Sequence, residues 1–328
     1  MPNPTPGDVH INTPLTNMSV AYVQDATNFV ATRVFPTIPV QKQSDLYFVY
    51  DQADFARDEM RERAPGTEAA GGGYELDTAS YSARRHSFRK DIDDETRANS
   101  DSPLQSDRDA TIFVTQKALI RRERLWATKY FGTSIWGTDI TGVASSVGAG
   151  EVLQWNDAAS TPIQDIKSGK ATILQNTGHE PNVLTIGYQV WVQLSDHPDI
   201  VDRVKYTGTR ENPAMVDLAA VASLLGIDRL EIMKAVYNTA DRGQAASMSF
   251  IGGKSALLCY ANPRPSIMQP SAGYTFNWAG LTGAGNEGLR IKRYRMEHLS
   301  SDRVEIDMAF DQKLVAADMG YFFTTVVA

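Results

Sequence analysis

The 328 residues read as an α+β protein in which long extended stretches surround a compact middle. Three patterns support that reading. A proline-punctuated apolar arm leads into a long, charged hairpin; one helix-period run is far longer than an ordinary core helix; and a compact α/β stretch gives way to consecutive strands at the end. Composition agrees: 42% hydrophobic and 22% charged residues supply a sizeable core and exclude a disordered or disulfide-stapled chain. A compact fold of this mass exposes about 13,000 Å² of the ~52,000 Å² presented by the unfolded chain.

The arm comes first. Pro2, Pro4, Pro6 and Pro14 fix φ and remove amide donors, which favours an extended start. Val34-Phe35-Pro36-Thr37-Ile38-Pro39-Val40 is apolar, but Pro36 and Pro39 exclude a helix or a central strand. Such an arm needs a surface to lie on, and a second subunit is one candidate. Leu46 to Tyr50 has strong strand propensity and runs into the charge cluster Asp58-Glu59-Met60-Arg61-Glu62-Arg63, then Ala64-Pro65-Gly66 and Gly71-Gly72-Gly73. The return leg, Tyr74 to Ile92, alternates loosely and carries Arg84, Arg85, Arg89 and Lys90. The pair predicts two long strands joined by a glycine-rich charged tip, an excursion with little apolar material for a core of its own.

A helix from about Leu104 to Phe131 follows. Ile112, Leu119 and Trp126 recur at heptad spacing, with Phe113, Ile120 and Ala127 as the adjacent row. Ser106 and Asp107 are placed to cap it, the arginines lie towards its end, and Gly132 terminates it. At 1.5 Å per residue it measures about 40 Å, a strut. Residues 132–160 are rich in turns. Thr161-Pro162 then opens a helix that ends near Gly178. Asn182 to Ile186 reads as a buried strand, Tyr188 to Leu194 as a helix, and Asn212-Pro213 as the start of another helix that stops at Gly226. Strands are expected at Leu230 to Tyr237 and Ser255 to Tyr260, and a loop from Asn262 to Asn286. Leu289 to Glu297, Arg303 to Phe310 and Tyr321 to Val327 read as one antiparallel sheet.

Little in the chain points to catalysis. Gly252-Gly253-Lys254-Ser255 has the ending of a phosphate loop, but Met248 stands where the first glycine belongs and a strand follows instead of a helix; it reads as a turn. None of the five histidines has a second metal ligand at helical spacing. Asp196-His197-Pro198 reads as a turn between helices with one side chain capping. Cys259, the single cysteine, lies in an apolar strand and reads as a small core residue. Asp91-Ile92-Asp93-Asp94-Glu95 lacks the spacing of a calcium loop and reads as a solvated acidic turn. Asn17-Met18-Ser19 matches a glycosylation sequon without function in a cytoplasmic chain. A net charge of −7 disfavours dedicated DNA recognition. The start lacks a signal-peptide pattern, and the apolar run from Leu218 to Ile227 is too short to span a bilayer, so a soluble protein is expected.

An arm, a long hairpin, a strut helix, a compact α/β region and a returning sheet, in that order, resemble the major capsid proteins of tailed bacteriophages, with the Hong Kong 97 type of fold. Local phrases are similar too: Val34-Phe35-Pro36 with Ile38-Pro39-Val40, Trp191 through Asp196-His197-Pro198 to Lys205-Tyr206, Lys234 to Ala240 followed by Gly253 to Leu258, and the ending from Arg293 to Val327. The resemblance implies an arm over residues 1–44, an extended loop over 45–91, a peripheral domain over 92–160 and 287–328 with a spine helix at about 104–131, and an axial domain over 161–286. It implies a structural protein without cofactor or enzyme activity. Its copies form hexamers and pentamers of an icosahedral head, assembled in the host cytoplasm and carried in the virion. Implied partners are the chain itself, a scaffolding protein, a portal protein, packaged double-stranded DNA held without sequence preference and, as an open case, a decoration protein; no membrane is implied. No cleaved scaffolding segment is apparent, so a separate scaffold is expected. Residues 43–89 contain no lysine, so crosslinking through the loop is not expected.

Candidate assembly contacts are Phe35, Pro36 and Pro39 on the arm, and Asp58, Glu59 and Glu62 on the loop tip. The tip acids are expected to meet cations of an adjacent subunit: Arg121, Arg122 and Arg124 on the helix, or Arg290, Lys292, Arg293 and Arg295 on the last sheet. Two alternatives stand beside the head: an encapsulin-like compartment of the same fold, and a nucleotide-using α/β enzyme built around Lys254.

Overall fold

A computed structural model describes residues 23–100, 104–204, 216–262, 264, 269–282 and 288–328. The prolines before residue 23, the sequon at Asn17, Lys205-Tyr206 and the helix start at Asn212-Pro213 lie outside them.

Among the described residues a 3-10 turn (Ala26–Asn28) comes first, followed by a one-turn helix α1 (Ala31–Val34) and strand β1 (Thr37–Val40). The hairpin follows: β2 (Ser44–Tyr50), the short α2 (Gln52–Phe55), β3 (Leu76–Ser82), then β4 (Arg84–Asp93) and α3 (Asp94–Ala98). The long helix α4 (Ser106–Tyr130) leads to β5 (Thr138–Val143) and β6 (Glu151–Leu153). Next come α5 (Pro162–Thr177), β7 (Val183–Gly187), α6 (Tyr188–Ser195), α7 (Pro198–Val204), α8 (Leu218–Leu225), β8 (Arg229–Met233), β9 (Val236–Asn238), β10 (Met248–Phe250) and β11 (Ala256–Cys259). The last part holds β12 (Gly273–Trp278), α9 (Ala279–Thr282), β13 (Leu289–Met296), β14 (Ser301–Leu314) and β15 (Gly320–Thr324).

Two sheets organise these elements. In the first, β14 is the axis: β4 pairs along one edge, while β13 and then β12 pair along the other, with β1 parallel to β12 at the margin. Alternation along β14 turns Val304, Ile306, Met308 and Phe310 towards α4, where Ala110, Val114 and Ala118 are small enough to let the helix lie close. The second sheet runs β6-β5-β15-β11-β7-β8. Its central strands are buried on both faces. Leu184, Ile186, Leu258 and Phe323 meet α5–α8 on one side, while Val183, Leu257, Cys259 and Phe322 meet α4 and the arm on the other. This explains why these strands read as continuous apolar runs. Gly178, at φ 72°, closes α5 in the left-handed conformation its position suggests.

Several expectations change. The helix spans the expected range, but it is a core element over its length, not a free strut. Its buried face uses Ala110, Val114 and Ala118 beside Leu119 and Trp126, whereas Phe113 of the expected apolar row is 41% exposed. Ser106 does not cap it; Gln105 stands at the cap without a side-chain bond, and Asp107 is engaged by Arg97 and Arg293. The expected loop at 262–286 contains β12, whose two faces bury Tyr274 and Phe276, and Thr275 and Asn277. The final strand does not continue the tail sheet: β15 enters the second sheet between β5 and β11. The boundaries expected at 160/161 and 286/287 therefore do not follow the sheets, since β5, β6 and β15 lie with the α/β layer and β12 lies with β14.

The described part of the arm folds against its own chain. Phe35 is enclosed by Trp126, Tyr130 and Trp136 at ring-centroid distances of 5.8, 5.0 and 6.3 Å. A Cβ on Gly273 would come within 2.5 Å of the Phe35 ring, so only glycine permits this approach. Both oxygens of Glu123, on the inner face of α4, accept from Val30 N–H at 3.1 Å, and Oε2 accepts from Ala31 N–H at 2.9 Å. Gln24 bridges onward, exchanging two hydrogen bonds with the backbone of Val236.

Candidate assembly surfaces

The β2–β3 ribbon has one face turned to the protein. Tyr47 and Tyr81 sit on Phe276 at 5.4 and 4.7 Å, beside Ile38 and Val40. The opposite face is formed by Leu46, Phe48 and, across the pair, Leu76, which are 62%, 66% and 48% exposed. Beyond it the chain is exposed at every position from Phe55 to Thr78. Tyr50, Phe55 and Tyr74 form a ring cluster there, at 5.6 to 5.9 Å. The total accessible surface is 19016 Å², against roughly 13,000 Å² for a compact protein of this mass, and the ribbon contributes part of the excess.

Asp58, Glu59 and Glu62 lie in this tip, exposed and without an ion pair among the described residues. From residue 51 to 77 carboxylates outnumber arginines eight to three, so the tip is strongly anionic. The expected basic partners separate into groups. Arg121 is exposed. Arg124 is exposed too, its guanidinium 4.2 Å from the centroid of the Tyr237 ring. Arg122 is 5% exposed on the inner face of α4, and Phe35 is fully enclosed, so neither presents a surface to a neighbour. Arg293 and Arg295 are committed within the chain. Arg293 bonds Asp302 at 3.0 Å and Asp107 at 3.3 Å, and Arg295 grips Asp94 through two bonds of 2.6 Å. Hydrogen bonds from Arg97 and Arg293 hold the Asp302 carboxyl down at about 2. Pro39 is exposed on the marginal strand β1 and Pro36 half-buried before it, positions that need no ladder N–H.

Arg290 and Lys292 are drawn into a second node. Asp307, with a fully buried side chain, receives Lys292 at 2.6 Å, Arg85 at 2.7 Å, Arg290 at 3.3 Å and the Ser87 hydroxyl at 2.6 Å. Burial pushes its carboxyl up, but these four donors outweigh burial and hold it far below the usual carboxylate range. The acidic stretch at 91–95 is likewise paired rather than solvated: Asp91 binds Arg303 at 2.6 Å, Asp93 caps α3, and Asp94 binds Arg295.

An open cleft of about 520 Å³ lies at the β13–β14 turn, lined by residues that include Arg89, Arg295, His298 and Arg303. Arg89 is exposed and makes no ion pair among the described residues.

The remaining motifs fold as structural devices. His197 Nδ1 accepts from Asp199 N–H at 3.1 Å at the start of α7, while Nε2 lies 3.0 Å from the Ser160 hydroxyl. Burial pushes the Cys259 thiol up to about 12, an inert core group. Lys254 is exposed on a turn before β11. Among the described residues there is no cluster of metal-ligand side chains and no helix long and apolar enough to cross a membrane.

The ribbon's exposed apolar face was missed in the sequence. Alternation of Leu46 and Phe48 with Tyr47 and Val49 is visible there, but it does not tell that both faces are apolar because only one is covered at home.

No family model matches the chain. It is 25% identical over 320 residues to the major capsid protein of Pseudomonas phage JBD67, covering 97% of both chains. It is 21% identical over 324 residues to that of Burkholderia phage BcepMu, covering 95% of both. Among solved structures, a phage-related protein from Bordetella bronchiseptica superposes with a TM-score of 0.66 at 18% identity, over 92% of this chain and 94% of that one. The capsid of cyanophage P-SCSP1u gives 0.60 at 11% identity, over 96% and 93%. An encapsulin complex from Synechococcus elongatus gives 0.52 at 10% identity, over 96% and 95%. The chain has the Hong Kong 97 type of fold and is similar to phage major capsid proteins over at least 95% of its length.

Proposed function

We propose that this chain is the shell subunit of a tailed-phage head, whose copies associate as hexamers and pentamers and close an icosahedral container around double-stranded DNA. The observation that carries this reading is similarity to a phage major capsid protein over 97% of both chains. Its role is structural rather than catalytic, and its place is the virion. Assembly in the host cytoplasm, a separate scaffold, a portal and a decoration protein belong to the same proposal. An encapsulin shares the fold, but fold alone does not choose between cargoes, and the sequence relatives favour the phage reading.

Association would work through the ribbon. Leu46, Phe48 and Leu76 remain largely in water on one subunit, and covering what is still exposed of each against a neighbour is worth about 1 kcal/mol. Asp58, Glu59 and Glu62 would add charge pairing. The receiving cation we favour is Arg89, because Arg293, Arg295 and Arg303 are already neutralised by Asp302, Asp107, Asp94 and Asp91. An exposed pair is worth at most about 1 kcal/mol, so each contact stays reversible while symmetric repetition makes the sum decisive.

Negative-stain electron microscopy of the purified protein, alone and co-expressed with proteins from neighbouring genes, tests the reading. Closed polyhedra, tubes or sheets of hexamers are expected, and dispersed particles under both conditions would remove it. Joint Glu59→Lys and Glu62→Lys replacement is expected to lower shell yield. Unchanged yield and stability would sink the charge pairing while leaving the shell intact.

A further inference from the structure

One stripe of the surface gathers exposed cations although the chain carries a net charge of −7. The row Phe113, Lys117, Arg121, Leu125 and Lys129 recurs every four residues along α4. From Lys117 to Lys129 it covers about 18 Å. Lys117, Arg121 and Lys129 are exposed, and Arg84 of β4, exposed as well, lies on the strand face that looks towards α4. None of the four has a carboxylate partner among the described residues, in contrast to the paired arginines of β13 and β14. Their proximity is recorded by one side chain. His86 packs at 5.3 Å on Phe310; burial pushes its imidazole down, and the charges of Arg121, Lys129 and Arg84 push it further.

Four unneutralised cations around one helix face form a receiver for a polyanion. We infer that Lys117, Arg121 and Lys129 of α4, with Arg84 of β4, are the surface on which this subunit meets the phosphates of packaged DNA. The inference rests on the shell reading above. Two features favour phosphates over an acidic protein segment. Phe113 is the one large apolar side chain left open on the row, and a protein interface without an apolar centre has little to hold it. Duplex DNA, by contrast, needs no pocket: it offers one charge per about 1.7 Å and rewards each neutralised phosphate by counterion release. The net charge of −7 repels the duplex overall, which keeps the contact weak.

The test uses the full chain kept below its assembly concentration and a fluorescent 30-base-pair duplex of arbitrary sequence, followed by anisotropy across a salt series. Weak binding that is indifferent to sequence is expected, with a slope of log K against log salt of about −3, as for three or four phosphate contacts. Joint Arg121→Glu and Lys129→Glu replacement is expected to weaken binding at least tenfold, whereas Arg57→Glu on the loop leaves it unchanged. Equal binding by the double variant and the parent would overturn the inference. So would stripe-dependent binding of a peptide of residues 51–77 in place of DNA, which would make the stripe a contact between copies. Shell formation by each variant, imaged in parallel, separates the two levels. Shells from the double variant with lost DNA affinity support both readings; shells with retained affinity remove only this one; no shells from the parent protein, alone or co-expressed, removes the shell reading. Shells from the parent but none from the double variant would assign the stripe to subunit contact and overturn the inference.

Discussion

Glu123 shows what one buried carboxylate does to a whole subunit. It is 1% exposed and ties the backbone of Val30 and Ala31 to the inner face of α4. Burial pushes its carboxyl up to about 7, against the opposing pull of the Ala31 and Val30 amides and of Arg122 and Arg33. Its folded value therefore lies above its unfolded value of 4.5, so the native state binds the proton more tightly. Its contribution to stability is complete below pH 4.5 and is lost as pH rises through 7. The loss amounts to about 3 kcal/mol. Melting temperatures of the parent protein should fall between pH 5 and pH 8, and Glu123→Gln should flatten that fall while keeping a carbonyl acceptor for the amides. His86 works in the opposite direction in both proteins, so the difference between them isolates Glu123. Identical pH profiles would show that the clamp does not titrate.

Among the elements, three strands depend on Asp307. Arg85 comes from β4, Arg290 and Lys292 from β13, and the carboxylate from β14 between them. Replacing Asp307 with Asn leaves three cations facing a neutral amide, a loss of about 3 kcal/mol or more. Urea unfolding should register it, and amide exchange should quicken in β4 and β13 while β7 and β11 stay protected. The exposed pair of Asp45 with Lys42 supplies the comparison, since Asp45→Asn should leave the urea midpoint almost unmoved. The sequence allowed most elements to be read because their signals are local: proline and glycine bracket α5, and short, mostly apolar runs mark β7 and β11. It hid β12 among prolines and glycines, although Tyr274, Phe276 and Trp278 alternate as a strand should. Strand partners were not readable at all. Nothing local in Gly320 to Thr324 tells that it leaves β14 for the other sheet, because pairing is decided by what fills the gap between β5 and β11. The charged candidates suffered in the same way: Arg293 and Arg295 look free until folding brings Asp302 and Asp94 beside them.

For the molecule as a whole, the ribbon is the place where an experiment can separate stability from the proposed association. Leu46 and Phe48 already stand in water, so joint replacement by Ser should change the unfolding free energy of the isolated subunit by less than about 1 kcal/mol. The same pair should abolish or greatly reduce shells, scored by sedimentation and electron microscopy; normal shells from this variant would show that the ribbon face is not an interface. The core is built differently. Because β15 is wedged between β5 and β11, β5 finds β6 close by in the chain but must wait some 180 residues for its other neighbour. On the ribosome, the second sheet stays open until the segment around Phe322 and Phe323 has emerged. A chain that stops short of that segment holds β6–β5 and β11–β7–β8 as two unjoined pieces with open strand edges, so truncation before β15 leaves this body incomplete.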